Sequence, residues 1–167
     1  MARLPDLGSR GEGWVLVQLA LLAAIGVAGF AALPGAGWSD VSRLVEAGLG
    51  CLSILSGALL AIRGVLDLGR SLTPFPRPAD TNRLVATGAY RWVRHPIYAA
   101  AMALWLGWAL LYGSGAVLIG FFLLMAGVIV IVPREERALE AHFGESYREY
   151  KAAVPRWFLR RDAGAQH

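Results

Sequence analysis

The chain has 167 residues, of which 56% are apolar and only 17% charged, with a formal net charge of +4. A soluble domain of this length could not hide so much apolar surface, and the excess falls in long blocks, which points to a bilayer as solvent. The positive charge is concentrated in a few polar segments, which argues against nucleic-acid binding and for membrane orientation. Cys51 is the single cysteine. It excludes an internal disulfide and a Cys-x-x-Cys metal or redox motif, and within an apolar block it reads as a packing residue.

Four apolar blocks follow in chain order, at 14–33, 44–66, 97–112 and 115–132. A spanning helix needs roughly 17–25 residues. The first two blocks meet that comfortably, the fourth adequately, and the third is short. The first block is long, and no small-x-small site follows it, so it reads as a retained span rather than a cleaved leader. Gly48, Gly50 and Gly57 in the second block permit close helix packing, within the chain or between chains. At its end Arg63 and Asp67, four residues apart, read as a surface ion pair. The segment 71–87 carries Pro74, Pro76 and Pro78 and is expected to be an extended loop. Residues 113–115, Gly-Ser-Gly, make the third and fourth helices antiparallel neighbours in a tight hairpin. Pro133 is expected to start a separate surface helix over 134–152, with Phe143, Tyr147, Tyr150 and Val154 as an apolar stripe. The Pro155-Arg156-Trp157 that follows reads as an interfacial anchor.

With the N-terminus inside, the inner segments are 1–13, 63–95 and 133–167. They hold fifteen of the sixteen basic residues, leaving Arg43 alone on the outer side. The positive-inside rule therefore puts both termini and both long polar segments in the cytoplasm. The expectation is an all-α integral membrane protein of about four transmembrane helices, plus a cytoplasmic C-terminal amphipathic helix. It forms one domain over 1–167, with an N-terminal helix pair at 14–66.

Two charged groups stand out. Pro96 marks the first turn of the third helix, so Arg94 and His95 lie at a helix N-terminus, where free amides and the dipole already favour an anion. Cations there serve either as flanks touching lipid phosphate or as part of an anion site. Glu135 and Glu136 lie between Arg134 and Arg137 at the inner end of the fourth block. They read either as first-turn acids of a new helix or as part of a site. The hairpin brings Arg94, His95 and Tyr98 to the same rim as Arg134, Glu135 and Glu136, and the 143–154 stripe can cover them. Such a rim suits a small zwitterionic ligand. The three histidines show no metal-ligand spacing.

The stretch "LVATGAYRWVRHPIYAA", a hydrophobic hairpin, and "EERALEAHFGESYREYKAAVP" resemble the isoprenylcysteine carboxyl methyltransferase family, which is related to the membrane phospholipid N-methyltransferases. The resemblance covers residues 71–156, taken as the catalytic core. Ala100 stands where the family usually has glycine. The resemblance implies an S-adenosylmethionine-dependent membrane methyltransferase that needs no metal. Its lipophilic substrate would enter sideways from the bilayer, among membrane lipids. It also implies that Leu84, Val85, Gly88 and Tyr90 line a cofactor pocket and that Arg94, His95 and Tyr98 hold the cofactor. Glu135 and Glu136 would meet its ammonium or ribose hydroxyls, and Arg134 with Glu135 would act on the substrate. Head-group N-methylation and a non-catalytic scaffold are the alternatives. The expected location is a bacterial inner membrane.

Overall fold

The computed structural model describes residues 23, 24, 27, 40–69 and 84–157. Among them are four α-helices and no strand: α1 (Asp40–Leu68), α2 (Pro96–Tyr112), α3 (Gly115–Phe143) and α4 (Glu145–Ala153), with a short 3-10 turn at Gly88–Arg91 before α2. α1 and α3 are long and apolar enough to cross a membrane, and α2 is a shorter apolar helix of 17 residues. The apolar block at 14–33 and the proline-rich loop lie almost wholly outside the described residues.

Each boundary has a local cause. Gly113 closes α2 in the left-handed conformation (φ 59°), and Ser114 caps α3, its hydroxyl accepting the Val117 amide at 3.5 Å. One glycine thus stops a helix and the next residue starts another. The hairpin link is two residues long, because Gly115 is already helical.

α1 and α2 pack antiparallel along a seam of small residues. The Ser53 hydroxyl donates to the Ala103 carbonyl at 2.8 Å. A Cβ on Gly107 would lie 2.7 Å from the Gly50 carbonyl oxygen and 2.7 Å from Ile54 Cγ1. Gly50 and Gly57 therefore serve packing within the chain, whereas a Cβ on Gly48 would meet nothing within 4 Å. Ala100, fully buried, presents its carbonyl 3.0 Å from where a Gly57 Cβ would be, so a small residue at position 100 serves this seam. Gly107→Val should force the pair apart at a cost of about 1–3 kcal/mol. Thermal denaturation in detergent should show that loss for Gly107→Val and none for Gly48→Ala.

The α2–α3 contact is a stripe on α3 at every fourth residue. Leu124, Val128 and Val132 pack on Tyr98, Ala101, Met102 and Trp105. The antiparallel pairing carries the C-terminal half of α3 to the start of α2, beside the end of α1. Arg43 lies at the opposite end, near Gly113.

Three expectations are corrected. Pro133 starts no new helix: α3 runs through it to Phe143. A proline inside a helix costs about 3 kcal/mol, but the buried stripe continues past it to Glu136, and that packing outweighs the lost amide. The break comes instead at Gly144 (φ 57°), whose amide bonds the Glu140 carbonyl at 2.9 Å, so the surface helix over 134–152 is two pieces. Asp67 makes no ion pair with Arg63; its carboxylate accepts the Ala89 amide at 2.7 Å. That bond satisfies a buried-side backbone donor, which an exposed pair with Arg63 would leave open. Cys51 is exposed on α1 rather than packed among the described residues, because the seam takes the Gly50, Ser53 and Gly57 face.

Candidate functional site

At the charged end the 3-10 turn and the start of α2 bring up one group of residues, and the C-terminal half of α3 brings another. The segment after α4 closes over them. Gly88 adopts φ 61°, and a Cβ there would fall 2.1 Å from the Asp67 carboxylate oxygen, so the turn wraps around Asp67. This geometry buries Tyr90 and Val93 and leaves Arg91 and Trp92 outside.

Glu136 is the centre of the group. Its side chain is 3% exposed and is engaged by two arginines and a histidine. Arg94 Nη2 lies 3.2 Å from Oε1, His95 Nε2 lies 3.2 Å from the same oxygen, and Arg156 Nε donates to it at 3.0 Å. Arg156 Nη2 also donates to Oε2, giving a bidentate pair. The anion favoured by cations at the α2 N-terminus is therefore supplied by the protein itself. These hydrogen bonds to the Glu136 carboxylate hold the Arg156 guanidinium pKa above its ordinary value.

The closing segment is fixed at several points. The Arg94 amide donates to the Pro155 carbonyl at 3.0 Å, and the Tyr150 hydroxyl donates to the Tyr90 carbonyl at 2.7 Å. Tyr147, Tyr150 and Val154 pack with Leu84, Ala86, Leu139 and Phe143, so the apolar stripe does cover the rim. Trp157 is half-buried. It packs on the Leu124–Val128–Val132 stripe, with its ring 6.0 Å from that of His95. Burial raises the Tyr90, Tyr147 and Tyr150 hydroxyls well above the ordinary tyrosine pKa, so all three remain neutral donors.

Not every buried polar atom is satisfied within the protein. Arg94 Nε and Nη1, one oxygen of Glu135 and the Tyr147 hydroxyl are buried without a hydrogen-bond partner. The Tyr98 hydroxyl donates to the Glu135 carboxylate. Buried polar groups are normally paired, so such orphans need a partner. Cationic donors on Arg94 and an anionic acceptor on Glu135 are the complement of an amino-acid zwitterion, and Tyr147 adds a neutral donor.

Arg94, His95, Tyr98, Glu135 and Glu136 thus meet at one rim. Tyr90 lies beneath it, held by Tyr150. Leu84 belongs to the tyrosine cluster, and Val85 is half-buried beside it in sequence. Gly88 is exposed and faces Asp67. Arg134 is exposed and forms no ion pair among the described residues. Arg156, Asp67 and Trp157 were not identified as site residues from sequence. The signal for Arg156 is indirect: Glu136 continues the every-fourth-residue stripe of α3, so it must be buried and must find cations.

The buried ionic rim thus lies at the end of an apolar helical hairpin, an arrangement that suits a membrane protein. Residues 45–146 match the family described as phospholipid methyltransferase, which is more than half of the chain, and the chain belongs to that family. It is 30% identical over 110 residues to a protein-S-isoprenylcysteine O-methyltransferase from Xenopus laevis, covering 64% of this chain and 38% of that one. It is 29% identical over 115 residues to protein-S-isoprenylcysteine O-methyltransferase B from Arabidopsis thaliana, covering 64% of this chain and 55% of that one. The chain therefore spans about half, or less, of the length of these curated relatives. No solved structure matches it.

Proposed function

We propose that the chain is an S-adenosylmethionine-dependent methyltransferase acting on a lipophilic or membrane-bound acceptor, most like the carboxylate of a prenylated cysteine. The observation that carries this reading is the pair of oppositely charged orphans, Arg94 and Glu135, buried at one rim. Arg94 would hold the carboxylate of the methyl donor, Glu135 its ammonium or ribose hydroxyls, and His95 and Tyr98 would shape the wall between them. Glu136 is already engaged by Arg94, His95 and Arg156, so its role is to position Arg94 and His95.

Held by Arg94 and Glu135, the donor would supply an electrophilic methyl for transfer. The protein's task is to hold acceptor, methyl and sulfur on one axis and exclude water. A carboxylate acceptor is ionised at neutral pH and needs no base. Arg134, exposed beside Glu135, would orient it. The donor would arrive from the cytoplasm, which the concentration of basic residues at this end favours, and the acceptor from the bilayer. A bacterial inner membrane fits this arrangement.

The family match supports a second reading, N-methylation of a phospholipid head group. There the amine must lose a proton, and Glu135 would accept it. Labelled methyl transfer to matched panels of prenylcysteine carboxylates and aminophospholipids decides between them. The first reading predicts carboxyl transfer with a rate nearly flat across neutral pH. Transfer to the amine, rising through its pKa, would establish the second.

A further inference from the structure

A cavity of about 690 Å³ lies between α1 and α2, on the other side of the 3-10 turn from the Arg94–Glu135 group. Its volume falls in the range of about 300–1,000 Å³ usual for ligand pockets. The turn separates the two regions: Tyr90 and Val93 point inward, while Arg91 and Trp92 line the cavity. Its lining includes the small residues Gly57, Ala99 and Ala103 of the two facing helices. Arg63 stands six residues beyond Gly57 on α1, about 9 Å along the axis. The cavity therefore runs from the charged end into the apolar belt.

The mouth is cationic. Arg63 and Arg91 are exposed, both line the cavity, and neither has a carboxylate partner among the described residues. Arg91 lies over the Trp92 ring at 5.0 Å, within cation–π range. Asp67 also lines the cavity, but its carboxylate is engaged by the Ala89 amide. The mouth thus retains a net positive charge over an apolar slot.

We propose that this cavity seats an anionic phospholipid as a ligand distinct from both methyl donor and acceptor. Its phosphate lies between Arg63 and Arg91, its glycerol beside Trp92, and the first carbons of one chain against Gly57, Ala99 and Ala103. In a bilayer the chain gains little by leaving other tails, so selection rests on the head group. Zwitterionic lipids, whose own ammonium offsets the phosphate, bind less well.

The test is native mass spectrometry of the full chain in neutral detergent with equal phosphatidylglycerol and phosphatidylcholine of the same chain length. The wild type should retain phosphatidylglycerol preferentially. Arg63→Gln/Arg91→Gln should bind it about 30-fold less tightly, near 5-fold per arginine, while S-adenosylmethionine binding stays unchanged. Arg137→Gln/Arg148→Gln, which removes the same charge outside the cavity, should leave lipid retention intact. Equal retention by the cavity variant, or equal loss in both variants, would overturn the proposal. Displacement of the lipid by glycerol phosphate at matched concentration would also overturn it, showing an anion site without lipid recognition. Because the donor-binding readout is separate, failure here leaves the proposed reaction untouched.

Discussion

Glu136→Ala should lower the stability of the folded chain by about 3 kcal/mol. The variant leaves the Arg94 and His95 side chains, 8% and 4% exposed, without their shared anion. Arginine cannot shed its proton, so the Arg94 charge remains buried and uncompensated. Arg156 loses both of its bonds and releases the segment that bridges Pro155 to Arg94. For a chain of this length the apparent Tm should fall by about 6–12 °C, with new proteolytic cleavage near residues 154–157. Arg156→Ala is the contrasting case. Its side chain is 39% exposed and solvent covers part of its loss. Glu136 keeps Arg94 and His95, and the cost should be about 1 kcal/mol. Equal shifts for the two variants would show that Glu136 is not the buried hub described above.

Arg94→Ala and Glu135→Ala should each weaken binding of the methyl donor by about 10-fold or more, since each removes a charge-assisted hydrogen bond worth about 1.5–3 kcal/mol. The two differ in their structural effect. Arg94 also neutralises Glu136, so its loss should lower the melting temperature as well. Glu135 has an oxygen with no partner in the protein. Its replacement removes an unsatisfied buried acceptor but also takes the acceptor from the Tyr98 hydroxyl, so donor affinity should fall with a smaller change in melting temperature than for Arg94→Ala. Isothermal titration with S-adenosylhomocysteine, paired with thermal denaturation of each variant, separates these outcomes.

Much of the core was legible in the sequence because membrane helices announce themselves by composition. The blocks at 44–66, 97–112 and 115–132 all lie within helices, and the link at 113–115 does join neighbours. The meeting of Arg94, His95 and Tyr98 with Glu135 and Glu136 follows from that link alone. What the residues did not disclose depends on packing. Pro133 reads as a boundary by its local chemistry, yet Leu124, Val128, Val132 and Glu136 share one face of a single helix, and burial of that face decides the matter. Asp67 reads as a partner for Arg63 at helical spacing, whereas a backbone amide 22 residues away competes better. The capture of Glu136 by Arg156 requires the chain to turn at Gly144 and return, which no local pattern specifies.

The direct test of the central claim is calorimetric titration of S-adenosylmethionine into the detergent-solubilised wild-type chain and into Glu135→Ala. Binding to the wild type should be saturable at one site and weakened about 10-fold or more in the variant. Absence of binding to a folded wild-type chain, or equal affinity in the two proteins, would contradict that claim.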